Sequence, residues 1–137
     1  MDNIPPSERS EIMSRVRSKN SRPEMLVRHL VFAEGYRYRL HDRKLPGRPD
    51  LVFRGRGKVI FVHGCFWHRH EHCALARMPK SRLDFWEPKL EANKERDARN
   101  KKLLAKEGWK VLTIWECQLK DTERLKRTIR RFLDAQR

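Results

Sequence analysis

The sequence predicts an α/β domain in which a single mixed sheet is flanked by helices. Three observations predict it. Short β-type segments cluster around a continuous apolar run at 59–62, the pattern of a strand buried on both faces. Helical stripes precede and follow that cluster. The resulting order, α-β-β-β-α-β-α, suits one sheet covered by helices rather than two separate layers of one type.

Each element has a local reason. Residues 1–20 are polar, contain Pro5 and Pro6 and carry Arg9, Arg15, Arg17 and Lys19. They read as a basic arm, with a short helix over 8–16 capped by Ser7, and residues 21–137 as the domain proper. Ser21 and Glu24 form an S-x-x-E capping box, with Pro23 in the first turn. Leu26, Val27, Leu30 and Val31 then make an apolar helical stripe that Gly35 stops. Tyr36, Tyr38 and Leu40 alternate with Arg37 and Arg39, which predicts a half-buried strand. Residues 45–49 are a turn, 51–53 a short strand and 54–57 a hairpin loop. Residues 64–87 show no period and read as irregular. A helix is predicted over 88–106, a strand over 109–115, and a helix over 122–135 whose stripe is Leu125, Ile129, Phe132 and Leu133.

Composition bounds the function. The 137 residues include 33 Lys plus Arg against 18 Asp plus Glu, a formal charge of +15. So basic a domain most often meets a polyanion, with nucleic acid the default. No apolar run approaches the roughly 20 residues of a membrane span, and the first residues have no signal-peptide core. The expected compartment is the reducing cytoplasm. There, three cysteines suit metal binding better than disulfides.

Cys65, Cys73 and Cys117, with an imidazole from His70 (His68 and His72 also lie in range, His72 the nearer competitor), make a donor set for tetrahedral structural Zn²⁺. An irregular segment of this length needs such a support. Asp50, in a Pro-Asp pair at the start of a strand, is suited to hold Mg²⁺ against a phosphate. His63 ends the central strand and His68 follows, and histidine is a residue type that can move protons near neutrality. Asp97 lies seven residues from both Leu90 and Leu104 on its helix, hence near the face turned to the sheet. A carboxylate there needs a partner, and an active-site histidine is the expected one. The capping box by itself accounts for Glu24. Phe66, Trp67 and Trp86 stand in basic, irregular chain, where they either stack on bases or pack around the zinc site.

Five stretches together resemble the very-short-patch repair endonucleases: LPGRPDLVF (45–53), VIFVHGCFWHRH (59–70), FWEPKLEANKERD (85–97), GWKVLTIWEC (108–117) and SRVRSKNSRPE (14–24). The resemblance covers about residues 7–120. It implies a type II restriction-endonuclease-like fold of the PD-(D/E)xK class. It also implies a Mg²⁺-dependent monomer with structural Zn²⁺, which nicks DNA at T·G mismatches left by 5-methylcytosine deamination. By position, Asp50 would bind Mg²⁺ together with the backbone carbonyl of Val62, and Glu24 would contact metal-bound water. His68 would transfer protons, and His63 and Asp97 would complete the site. Cys65, His70, Cys73 and Cys117 would bind Zn²⁺. Phe66, Trp67 and Trp86 would wedge into the duplex, and Met13 on the arm would approach from the other groove. The D/E-x-K of the wider class is absent here, as it is in this family. Mismatch-repair proteins and cytosine methyltransferases are candidate partners. The competing expectations are a same-fold restriction enzyme cutting both strands and a non-catalytic zinc-stabilised DNA-binding module.

Overall fold

A computed structural model describes residues 21–136. The basic arm, including its expected helix and Met13, lies outside them. Seven elements follow in the expected order: α1 (Arg22–Ala33), β1 (Arg39–Leu40), β2 (Leu51–Phe53), β3 (Lys58–His63), α2 (Leu83–Lys106), β4 (Lys110–Trp115) and α3 (Thr122–Asp134). The sheet order is β1-β2-β3-β4. β1 and β2 pair antiparallel, as do β2 and β3, while β3 and β4 run parallel, so the sheet is mixed.

Ser21 caps α1 by accepting the Glu24 N–H. Val27 and Val31 on α1, and Leu125, Ile129 and Leu133 on α3, bury against Leu51, Phe53, Ile60 and Ile114 on one face of the sheet. On the other face, Leu104 of α2 meets Val52, Val59 and Phe61. Each such fully buried side chain contributes about 1.5–3 kcal/mol. The sheet is therefore covered on both faces, and β3, with neighbours on both edges, is its buried centre.

Two expectations are corrected. The alternation at 36–40 yields only a two-residue strand, because at the sheet edge Arg39 and Leu40 alone find partners, in Val52 and Leu51. The hairpin loop at 54–57 is as expected, joining antiparallel β2 and β3 through a 3₁₀ turn over Arg54–Arg56 closed by Gly57 in the left-handed region. The long helix begins at Leu83, five residues before Pro88, so Pro88 lies inside it. It is the sixth helical residue, and its missing N–H costs one backbone bond in a helix of 24 residues. Trp86 therefore belongs to the first turns of α2 and not to irregular chain.

One polar residue went unread. Lys58, at the start of β3, is buried, and its Nζ donates to the carbonyls of Phe132, Leu133 and Ala135. A cation at the C-terminus of α3 satisfies the carbonyls that the helix leaves without partners. It also pins the last helix to the central strand.

Candidate active site and metal centre

The C-terminal end of β3 gathers the chemistry. The turn before β2 presents Asp50, and it is tight: Gly47 has φ +77°, and a Cβ there would stand 3.0 Å from Asn100 and 3.1 Å from Phe61. Asp50 Oδ2 accepts the Val62 N–H at 2.6 Å, which ties the carboxylate to the adjacent strand. Burial, with Glu24 close by, pushes the Asp50 carboxyl up to about 7, against the lowering effect of the Val62 N–H. A carboxylate so desolvated favours a proton or a cation.

Of the expected capping box only the Ser21 half is seen among the described residues, and the Glu24 carboxylate is used elsewhere. That carboxylate is buried, takes a hydrogen bond from Arg28 and lies 2.8 Å from His41 Nε2. Glu24, His41 and Asp50 bring their ligand atoms within 4.8 Å of one another, a donor set open to a metal ion. His41 was missed by sequence reasoning. Nothing in its spacing marks it; the only signal is a polar residue at the end of an edge strand.

His68 Nδ1 lies 2.5 Å from Asp97 Oδ2, so the seven-residue register on α2 delivers the expected carboxylate–imidazole pair. His63 stacks on His68 with ring centroids 3.8 Å apart and planes 7° apart. Burial and the adjacent His68 pull the His63 imidazole down to about 3, so it is neutral. Its Nδ1 is buried with no hydrogen-bond partner among the described residues. A cleft of about 330 Å³ is lined by His41, Arg43, Arg48, Asp50, Val62, His63, His68 and Asp97. Carboxylates, imidazoles and guanidinium groups thus face a single space.

A second cluster lies beyond Trp115, which contacts both His63 and His70. Cys65, His70, Cys73 and Cys117 bring their ligand atoms within 4.8 Å of one another. His70 Nδ1 is 3.6 Å from Cys65 Sγ and 3.5 Å from Cys117 Sγ. Burial and the neighbouring sulfurs push the Cys65 thiol up to about 12. Three thiols and one imidazole converging in this way are the donor set of a closed four-coordinate site. His70 joins the sulfurs, and His72 is exposed. Trp115 connects the two regions. Its ring stacks on His70 at 4.1 Å and meets His63 edge-on at 5.3 Å.

The aromatics form a surface cluster of their own. Phe66 and Trp67 are 5.1 Å apart, Phe66 and Trp86 5.4 Å, and Trp67 and Trp86 5.8 Å. Phe85, which sequence reasoning passed over, adds a ring 5.0 Å from Trp86. Lys89 lies over Trp67 and Phe85, and Arg82 over Phe85. The cluster is a partly exposed apolar platform edged with positive charge.

Comparison with known proteins agrees with this geometry. The family model described as DNA mismatch endonuclease Vsr matches residues 1–75. The chain is 52% identical over 133 residues to the type II nicking enzyme V.XorIIP of Xanthomonas oryzae pv. oryzae, covering 97% of each chain. It is 44% identical to the type II nicking enzyme V.NmeAIP of Neisseria meningitidis, covering 94% of each. It is 42% identical to the DNA mismatch endonuclease Vsr of Escherichia coli, over 85% of this chain and 74% of that one. The chain belongs to the Vsr family of DNA mismatch endonucleases.

Proposed function

We propose that this protein is a Mg²⁺-dependent endonuclease that nicks one DNA strand at T·G mismatches arising from 5-methylcytosine deamination, on a type II restriction-endonuclease-like fold held by structural Zn²⁺. The observation that carries the reading is the convergence of Asp50, His63 and the His68–Asp97 pair on one cleft that Arg43 and Arg48 also line. A binding module needs none of these acid–base groups.

Asp50, fixed by the Val62 N–H, would hold Mg²⁺ together with the Val62 carbonyl oxygen, and Glu24 would contact its water. The raised Asp50 carboxyl and the Nδ1 of His63, without a partner among the described residues, fit a site that receives a polar or charged group. When bound, Mg²⁺ supplies Lewis-acid stabilisation of phosphate charge and lowers the pKa of water. The chain does the rest. Asp97 accepts the Nδ1–H of His68, which fixes the tautomer and leaves Nε2 to move a proton beside the scissile phosphate. The flat face of neutral His63 keeps the His68 ring in one orientation. Arg43 and Arg48 attract the phosphate backbone. Zn²⁺ on Cys65, His70, Cys73 and Cys117 would only hold the segment that bears His68, Phe66 and Trp67.

Recognition follows from the aromatic cluster. Phe66, Trp67 and Trp86 would enter the base stack, with Met13 of the arm (residues 1–20) approaching from the other groove. Unstacking costs a few kcal/mol per step, and less at a wobble pair than at a Watson–Crick pair. The same reading assigns the enzyme to the cytoplasm, as a monomer on double-stranded DNA. Cleavage of matched and T·G duplexes in Mg²⁺, resolved on denaturing gels, tests it. One nicked strand in the T·G duplex alone is expected. Two cut strands would make the protein a restriction enzyme, and no cleavage a binding module.

A further inference from the structure

Glu24 on α1 and Asp50 at the mouth of β2 bring carboxylate oxygens within 4.8 Å of each other. Two carboxylates this close repel unless donors hold them. His41 touches both. Its Nε2 is 2.8 Å from Glu24 Oε2 and 3.8 Å from Asp50 Oδ1. Its backbone N–H donates to the Asp50 carbonyl oxygen at 3.3 Å, extending the β1–β2 ladder by one bond. Its φ is +45°, in the left-handed region, where a residue bearing a Cβ is strained. Its ring lines the catalytic cleft. An ordinary surface histidine after a strand needs neither the strained backbone nor a buried carboxylate as partner.

Arg28 bonds the same Glu24 oxygen from four residues further along the same helix, and its guanidinium lies 3.5 Å from His41 Nε2. His41 ties that helix to the sheet edge, because its backbone is fixed to Asp50 and its side chain reaches Glu24.

We infer that His41 is a positioning residue for the cation site: its Nε2–H, donated to Glu24, holds that carboxylate facing Asp50, so that the pair is preset for a divalent cation. The inference rests on the Mg²⁺ reading proposed above. Partners that orient metal-binding groups typically change metal affinity by about 10- to 100-fold when removed.

The test compares two variants whose backbone and side-chain merits are opposed. Asn tolerates positive φ better than most residues, but its amide is too short to reach Glu24. Gln is worse suited to that backbone, but its amide nitrogen reaches about as far as the imidazole Nε2. Mn²⁺ serves as the probe, and its binding to the zinc-loaded full chain without DNA is read from the loss of the free-ion electron paramagnetic resonance signal. Thermal unfolding is followed in parallel. His41→Asn is expected to fold normally and bind Mn²⁺ about 10- to 100-fold more weakly. His41→Gln is expected to recover most of that affinity despite a lower Tm. Wild-type affinity in His41→Asn, or equal weakness in both variants, overturns the positioning role. Asp50→Asn is the control for the underlying reading. If it binds Mn²⁺ as the wild type does, the cation site itself is wrongly assigned. If it alone loses Mn²⁺, the site stands and the His41 inference falls.

Discussion

The two donor clusters differ in each property that decides what a metal does. Cys65, His70, Cys73 and Cys117 are soft donors, four in number, drawn mostly from the irregular segment between β3 and α2. Glu24, His41 and Asp50 include two hard oxygen donors and are carried at helix and strand ends, and His41 and Asp50 line an open cleft with arginines on its wall. A closed set of soft donors organises chain that cannot organise itself, while an open set with hard donors leaves room for substrate and water. Trp115 touches both sides, through His70 on one and His63 on the other. In the function proposed above, the support therefore lies one ring away from the chemistry.

The sharpest way to break this comparison is at the soft cluster. Cys73→Ala should lose both bound metal and folded protein. Structural zinc is worth about 10–16 kcal/mol in apparent terms in small domains, comparable with the 5–15 kcal/mol net stability of a typical protein. Elemental analysis and circular dichroism check it; a folded, active variant without metal would remove the distinction between support and chemistry. Next in size is His68→Ala. It should slow nicking by about 10²- to 10⁴-fold, the scale of general acid–base catalysis, with metal content unchanged. Asp97→Asn should slow the reaction less, because the ring remains and only its tautomer is disturbed. Single-turnover rates decide both, and full speed in Asp97→Asn would reduce the 2.5 Å contact to a structural ion pair. The smallest effect is expected at the platform. Trp67→Ala removes a stacking surface worth about 1–3 kcal/mol per base, so mismatch cleavage should fall roughly 10- to 100-fold. Matched-duplex affinity, which rests on phosphate contacts, should hold. An unchanged preference for the mismatch in a metal-loaded variant would assign Trp67 to packing.

The same contrast explains what the sequence made legible. The Cys/His cluster was readable because thiols and imidazoles are few and closely spaced, although His70 and His72 could be separated only in three dimensions. β3 was readable from its apolar run, α1 from Ser21 and its stripe, and Asp97 from its register with Leu90 and Leu104, both fully buried. The start of α2 was not, because Pro88 mimics a first-turn proline while the helix has already begun at Leu83. β1 was overestimated because alternation reports a strand's faces and not the length of its partner, and β2 has only three residues. His41 was invisible and Glu24 half-explained for one reason. Their meaning lies in a contact across 17 residues that no local period encodes.

The most direct measurement is Asp50→Asn, because Asp50 belongs to the hard cluster alone. Nicking of a T·G duplex in Mg²⁺, zinc content and duplex affinity are measured on one preparation. The account predicts one zinc per chain, near-normal duplex affinity and no detectable nick. Cleavage near the wild-type rate, or loss of zinc with loss of activity, would contradict the assignment of chemistry to one cluster and support to the other.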